Sequence, residues 1–220
     1  MQCVRTRHSL ARVNKSWRDA SKPAAAYPLR FDFGALPDMS CLKRRPLVIR
    51  LLDNDEALSL PYERVAGLLG EAANSVCDYA AMRGSIRLLK WARENNLYWN
   101  SCTCCSAALK GQLPALQYLH ENGCPWDSHA CYSAVLNGHL PALQYLHENG
   151  CPWSRSTCFA AAETGQLPAL KYLHENGCPW DNRTCFRAAS YKHWDCLQYA
   201  VDNKCPEWEK YAKEYAEHLR

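Results

Sequence analysis

The chain has 220 residues, of which 48% are hydrophobic, so it is long enough to bury a sizeable core. Its net charge of +4 is unevenly spread, because residues 1–50 hold eleven Lys and Arg against three Asp, a balance of +8. No stretch approaches the roughly 20 apolar residues of a membrane-spanning helix, and the acids interleaved in the basic segment disfavour nucleic-acid binding. We therefore expect a globular protein whose partner is neither a membrane nor a nucleic acid.

Residues 1–22 are predicted to form a basic amphipathic helix around Trp17. The first ten residues lack an apolar run, so we predict no secretory signal, and the scarcity of acids leaves organelle targeting open. This segment resembles the closing part of an F-box. In both, an apolar residue, Val, a basic residue and Trp-Arg follow in that order, and here these include Val13 and Trp17-Arg18. Two readings stay open: a partial F-box, or a basic helix that folds onto the rest of the chain.

A proline-rich linker and a short helical segment are predicted next. Residues 23–46 contain Pro23, Pro28, Pro37 and Pro46, which indicate an irregular linker. Residues 47–73 are predicted to be helical, as an N-terminal cap or a decayed repeat.

A 27-residue unit then recurs. The segment Gly111–Trp126 returns nearly unchanged at Gly138–Trp153 and at Gly165–Trp180. A fixed period of this length is typical of a solenoid, whose end units are degenerate. The five units predicted between residues 74 and 208 are Asn74–Asn100, Ser101–Asp127, Ser128–Ser154, Arg155–Asp181 and Asn182–Trp208.

Each unit is predicted to contain two helices. The first is short and rich in small residues, for example Cys158–Glu163, and Gly165 ends it because glycine adopts a left-handed conformation at little cost. The second has Pro168 in its first turn and ends at Gly177. A Cys-Pro-Trp linker then leads to the next unit. Residues 207–220 are predicted to form a C-terminal capping helix with one polar face.

These units resemble ankyrin repeats, which also join two short helices through a Gly-His-Leu or Gly-Gln-Leu link such as Gly138-His139-Leu140. The resemblance covers residues 74–208. The family unit has about 33 residues, and the residues missing here fall where the family projects a β-hairpin finger. The resemblance therefore implies an all-α solenoid without β-hairpin fingers. It also implies that the solenoid binds other proteins, commonly across its first helices.

Cysteine is abundant, with fourteen residues. Nine of them recur at two positions of the unit, so we predict packing positions in a reducing compartment, cytoplasmic or nuclear. The dense run Cys102-Thr103-Cys104-Cys105 keeps a zinc-binding or redox protein open as an alternative. The repeated cysteines are Cys77, Cys104, Cys131, Cys158 and Cys185 at one position, and Cys124, Cys151, Cys178 and Cys205 at the other.

The segment His120-Glu121-Asn122-Gly123-Cys124 superficially resembles a metalloprotease motif. Its recurrence in three units indicates packing, because one catalytic site would not be copied three times. We therefore predict no catalytic residues, no cofactor and no resident metal.

Differences among the units mark a candidate binding surface. The second helix barely changes among the central units, whereas the first helix varies, through drift at solvated positions or through selection for a partner. We expect a monomeric protein-interaction scaffold, with a substrate adaptor of a cullin-type ubiquitin ligase as the alternative. Truncating Arg187 and Tyr191 should then weaken binding and spare stability. The candidate partner-binding residues are Tyr79, Arg83, Ser106, Lys110, Ser133, Asn137, Thr164, Arg187 and Tyr191.

Overall fold

The computed structural model describes residues 75–218, which form eleven helices joined by short turns and contain no strand. The predicted N-terminal helix, linker and N-terminal cap lie outside these residues. The first helices of the units are α1 (Val76–Arg83), α3 (Ser101–Leu109), α5 (Ser128–Leu136), α7 (Arg155–Glu163) and α9 (Asn182–Ser190). The second helices are α2 (Ile86–Glu94), α4 (Leu113–Glu121), α6 (Leu140–Glu148), α8 (Leu167–Glu175) and α10 (Trp194–Asp202), and α11 (Trp208–His218) follows.

The helices stack in two layers. Each first helix packs against the first helix of the next unit, and each second helix against the next second helix. Within a unit the two helices pack on each other, and α11 covers α9 and α10 at the C-terminal end. The described residues are therefore an all-α solenoid without β-hairpin fingers, as the repeat predicts.

Side-chain caps fix the start of first helices α3, α5 and α9. The carboxylates of Asp127 and Asp181 accept hydrogen bonds from the backbone N–H groups of His129 and Arg183, which otherwise lack helical partners. Helix α7 begins at Arg155, three residues before the predicted Cys158. The residues ahead of the apolar pattern thus belong to the helix rather than to the linker.

Leucines from the second helices fill the core between the layers. Leu116, Leu143 and Leu170 are fully buried, as are the residues three positions further along each helix. The repeat cysteines are buried with them. The Cys151 thiol donates to the backbone carbonyl of Asp127 at 3.2 Å. Each linker is thus tied to the start of the preceding first helix, because Cys124, Cys178 and Cys205 make the equivalent contact.

Candidate partner-binding surface

Most of the predicted binding residues reach the surface of the first-helix layer. Arg83, Lys110 and Asn137 are exposed at the C-terminal ends of α1, α3 and α5. Tyr79, Thr164, Arg187 and Tyr191 are half-buried. The hydroxyl of Thr164 is turned inward and donates to the Ala160 carbonyl at 2.8 Å, so this residue offers a partner little beyond its methyl group.

Two of the predicted residues do not belong to this surface. Ser106 is 0% exposed and Ser133 is 4% exposed, and Ala160 at the equivalent position is 1% exposed. Helices α3, α5 and α7 each have a first helix packed on both sides, so this position is enclosed in them and holds a small side chain. The assignment of Ser106 and Ser133 to a partner surface was therefore wrong. Variation there reflects interchangeable small residues rather than solvated positions.

The same register holds Arg187 in the last unit, where it makes an ion pair between units. Its Nε lies 3.6 Å from Oε2 of Glu163, a carboxylate that is 7% exposed. Arg187 is thus the partner of a buried charge. This ion pair argues against the expectation that truncating Arg187 together with Tyr191 spares stability, because the change would leave Glu163 without its cation.

Aromatic and guanidinium groups meet around this pair, in what we call the C-terminal patch, made of Phe159, Arg183, Phe186, Arg187 and Tyr191. The guanidinium carbons of Arg183 and Arg187 lie 4.9 Å and 5.8 Å from the centroid of the Phe159 ring. Phe186, on the same helix as the two arginines, is 49% exposed. The patch therefore joins apolar rings to cations, the residue types enriched in binding hot spots.

Sequence reasoning left three members of the patch, Phe159, Arg183 and Phe186, out of the binding residues. The spacing of Arg183 and Arg187 four residues apart on one helix was the available signal, since such side chains share a face. What the spacing does not reveal is that both stack on an aromatic ring of the preceding unit.

The charges of the patch are locally balanced. Hydrogen bonds from Arg183 hold the pKa of Asp181 below its ordinary value. Burial, followed by the field of Glu163, raises the pKa of Tyr132 to about 12 and raises that of Tyr191. Glu163 therefore acts on tyrosines of two neighbouring units, and Arg187 opposes its effect on both of them.

A second aromatic arrangement runs along the second-helix layer. The imidazole of His147 stacks on the Trp153 indole with ring centroids 3.7 Å apart, and the Tyr172 ring meets both of them edge-on. The same triad forms in the units on either side, and there the histidine Nδ1 also lies within hydrogen-bonding distance of the tyrosine hydroxyl. The flanking triads are His120, Trp126 and Tyr145, and His174, Trp180 and Tyr199.

These contacts account for the repeated His-Glu segment. The His120 ring is held between Trp126 and Tyr145, and the Cys124 thiol donates to the Asn100 carbonyl. In residues 75–218 no group of three or more His, Cys, Asp or Glu side chains is arranged to hold a metal ion. In the dense cysteine run, Cys104 and Cys105 are buried, and burial raises the pKa of the Cys105 and Cys102 thiols.

None of the helices described here has the length and apolarity needed to cross a bilayer.

Comparison with known proteins supports the ankyrin resemblance for part of the chain. The family model described as "Ankyrin repeats (many copies)" matches residues 104–147, which do not include the F-box-like segment. The crystal structure of the human ASB11 ankyrin repeat domain is similar in fold, with a TM-score of 0.51 at 18% sequence identity. That similarity covers 59% of this chain and 69% of the ASB11 chain. No curated protein matches the sequence.

Residues 104–147 are thus similar to ankyrin repeats, and the helices of residues 75–218 fold as a solenoid similar to an ankyrin repeat domain.

Proposed function

We propose that this protein binds another protein through its first-helix layer and acts as an interaction scaffold without catalysis. The observation that carries the proposal is the C-terminal patch, in which Phe186 is exposed on α9, the helix that also carries the two arginines whose guanidinium groups lie over Phe159. Burying an exposed aromatic ring with adjacent guanidinium groups is a common source of binding energy. Upstream, Arg83, Lys110 and Asn137 extend the surface along the solenoid.

Two finer statements belong to this proposal. We expect the protein to act as a monomer in a reducing compartment, cytoplasmic or nuclear. The twelve cysteines among the described residues are free thiols, and eleven of them are buried, which supports the reducing compartment. The adaptor alternative depends on residues 1–22, and no observation within residues 75–218 bears on it.

Affinity capture with quantitative mass spectrometry would test the proposal. The test variant is Phe186→Ser with Lys110→Glu, which changes two exposed side chains of the first-helix layer. The matched control is Lys204→Glu with Pro179→Ser, which changes two exposed side chains in the turns that follow α10 and α8, outside the first-helix layer. We expect proteins captured by the wild type to be lost from the first variant and retained by the control. Equal losses from both variants, with unfolding curves unchanged, would argue against the first-helix surface.

A further inference from the structure

We propose that the second-helix layer of the central units is a second protein-binding surface, which accepts two Lys or Arg side chains of a basic partner segment over Tyr145 and Tyr172. This surface lies on the layer opposite the C-terminal patch, and the inference does not rest on the proposed function.

The two tyrosine rings are held in fixed orientations. The Tyr145 hydroxyl lies 3.1 Å from Nδ1 of His120, and the Tyr145 ring meets the Trp126 indole edge-on at 6.3 Å. Tyr172 meets His147 and Trp153 in the same way, at 5.9 Å and 6.3 Å. Because a histidine and a tryptophan contact each tyrosine at a steep interplanar angle, the two rings are oriented before any ligand arrives.

The flanking units show what such a ring accepts. The Lys90 ammonium lies 5.9 Å from the centroid of the Tyr118 ring, and the Lys171 ammonium lies 5.7 Å from that of Tyr199. In both cases the lysine stands 28 residues before the tyrosine, on the second helix of the preceding unit. A cation within about 6 Å of an aromatic centroid is attracted by the ring quadrupole.

The central units keep the tyrosine but lack the lysine. The residues 28 positions before Tyr145 and Tyr172 are Gln117 and Gln144, whose amides carry no charge. The repeat geometry thus presents two tyrosine rings for which residues 75–218 supply no cation at this position.

The local charge also favours a basic partner. Helices α4 and α6 contain no Lys or Arg, and each ends in an exposed carboxylate, Glu121 or Glu148. A negative charge at a helix C-terminus is unfavourable, so these carboxylates gain from a cation brought to them. Each also acts on its tyrosine, since after burial Glu121 raises the pKa of Tyr145 and Glu148 that of Tyr172.

Solenoid geometry sets the spacing of the partner's cations. Neighbouring packed helices lie about 8–10 Å apart, and a polyproline II segment rises about 3.1 Å per residue with three residues per turn. A polyproline II segment that carries Lys or Arg three positions apart therefore places both cations on one face, at about the spacing of the two rings.

An NMR titration tests this proposal. The full chain is titrated at low ionic strength with an extended peptide containing Lys-Ser-Ser-Lys, following the indole N–H signals of Trp126 and Trp153. We expect saturable shifts, and about tenfold weaker binding for Tyr145→Leu with Tyr172→Leu. The matched control, Tyr118→Leu with Tyr199→Leu, removes rings that already hold a lysine and should bind as the wild type does.

A second pair of variants keeps the test interpretable if the leucine variants lose structure. Gln117→Lys with Gln144→Lys gives the central units the cations of their neighbours, so it should abolish peptide binding and leave the fold intact. Absence of shifts at peptide concentrations on the order of millimolar would overturn the proposal, as would equal losses in the two leucine pairs. Binding of a peptide of residues 1–22 in place of the Lys-Ser-Ser-Lys peptide would overturn the assignment to a partner and indicate the chain's own basic segment.

Discussion

Arg187 and Glu163 form an ion pair between the last two first helices, with a nitrogen-to-oxygen distance of 3.6 Å. The central units have no such pair: where Glu163 and Arg187 stand, the preceding units have Leu136 and Ala160. The last units thus place an ion pair at a contact that is apolar in the units before them.

The first prediction concerns this pair. Arg187→Ala should lower the free energy of unfolding by about 1–3 kcal/mol, because Glu163 stays buried without its cation while water screens the 36%-exposed arginine. Arg187→Ala combined with Glu163→Leu should recover most of that loss, since it restores the pattern of Leu136 and Ala160. Urea unfolding of the single and double variants gives the coupling energy between the two residues. Strictly additive losses would show that the pair makes no specific contribution.

The second prediction concerns pH. Asp78 is 8% exposed, and burial raises the pKa of its carboxyl, although a hydrogen bond donated by the Thr103 hydroxyl opposes the shift. The native state therefore holds this proton more tightly than the unfolded chain. The stabilisation contributed by the Asp78 carboxyl is fully present below its ordinary pKa of about 3.8. It is lost as the pH rises through the pKa that this carboxyl has in the folded state.

Asp78→Asn should remove this dependence, so the variant gains stability relative to the wild type as the pH rises from about 3 to about 7. Thermal unfolding of both proteins across this range measures the difference. Asp181→Asn is the matched control, for which the stability difference from the wild type should change with pH in the opposite direction. The lowered pKa of Asp181 contributes stability above its unfolded pKa that is lost as the pH falls. A wild-type-minus-variant difference that does not change with pH would contradict the account of Asp78.

Some features of the fold follow from local constraints that a sequence displays. Pro168 lies in the first turn of its helix and Gly165 follows the end of the preceding one, because a missing N–H and a left-handed φ are tolerated at few positions. Local constraints do not show which side of a helix becomes buried, because the neighbouring units decide it. Ser106 gives no sequence signal that separates a solvated serine from one packed between helices, and it was misassigned for that reason.

The binding surface was predicted less completely than the fold, for the same reason. The contact of Arg183 with Phe159 joins residues 24 positions apart, and so does the pair of Arg187 with Glu163. Repeat spacing identifies which positions are equivalent. It does not show which variable side chains meet across a boundary between units, because that depends on the rotation of each helix in the stack.

The third prediction concerns the core between the layers. Leu143 is 0% exposed, so Leu143→Ala should cost about 2–5 kcal/mol of unfolding free energy through lost burial and the cavity left behind. Leu140→Ala, at a half-buried position on the same helix, is the control and should cost less. Chemical denaturation measures both, and a loss below about 1 kcal/mol at Leu143 would contradict its place in the core.

The last prediction separates two glycines that share a backbone conformation. Gly165 has φ +70° and Gly177 has φ +78°, so alanine at either position costs about 1–2 kcal/mol of backbone strain. A Cβ on Gly165 would lie 2.5 Å from Nδ1 of His193 in the next unit, whereas a Cβ on Gly177 would meet nothing within 4 Å. Gly165→Ala should therefore lower the free energy of unfolding by at least about 1 kcal/mol more than Gly177→Ala, since the imidazole must move.

Shrinking the side chain that Gly165 faces provides the control. In a chain that already carries His193→Ala, the two glycine substitutions should cost nearly the same, because only the backbone strain remains. Urea unfolding of the four variants measures this. If Gly165→Ala stays more costly when residue 193 is alanine, the extra cost does not come from the imidazole, and close packing between the units would not be the reason for glycine at this position.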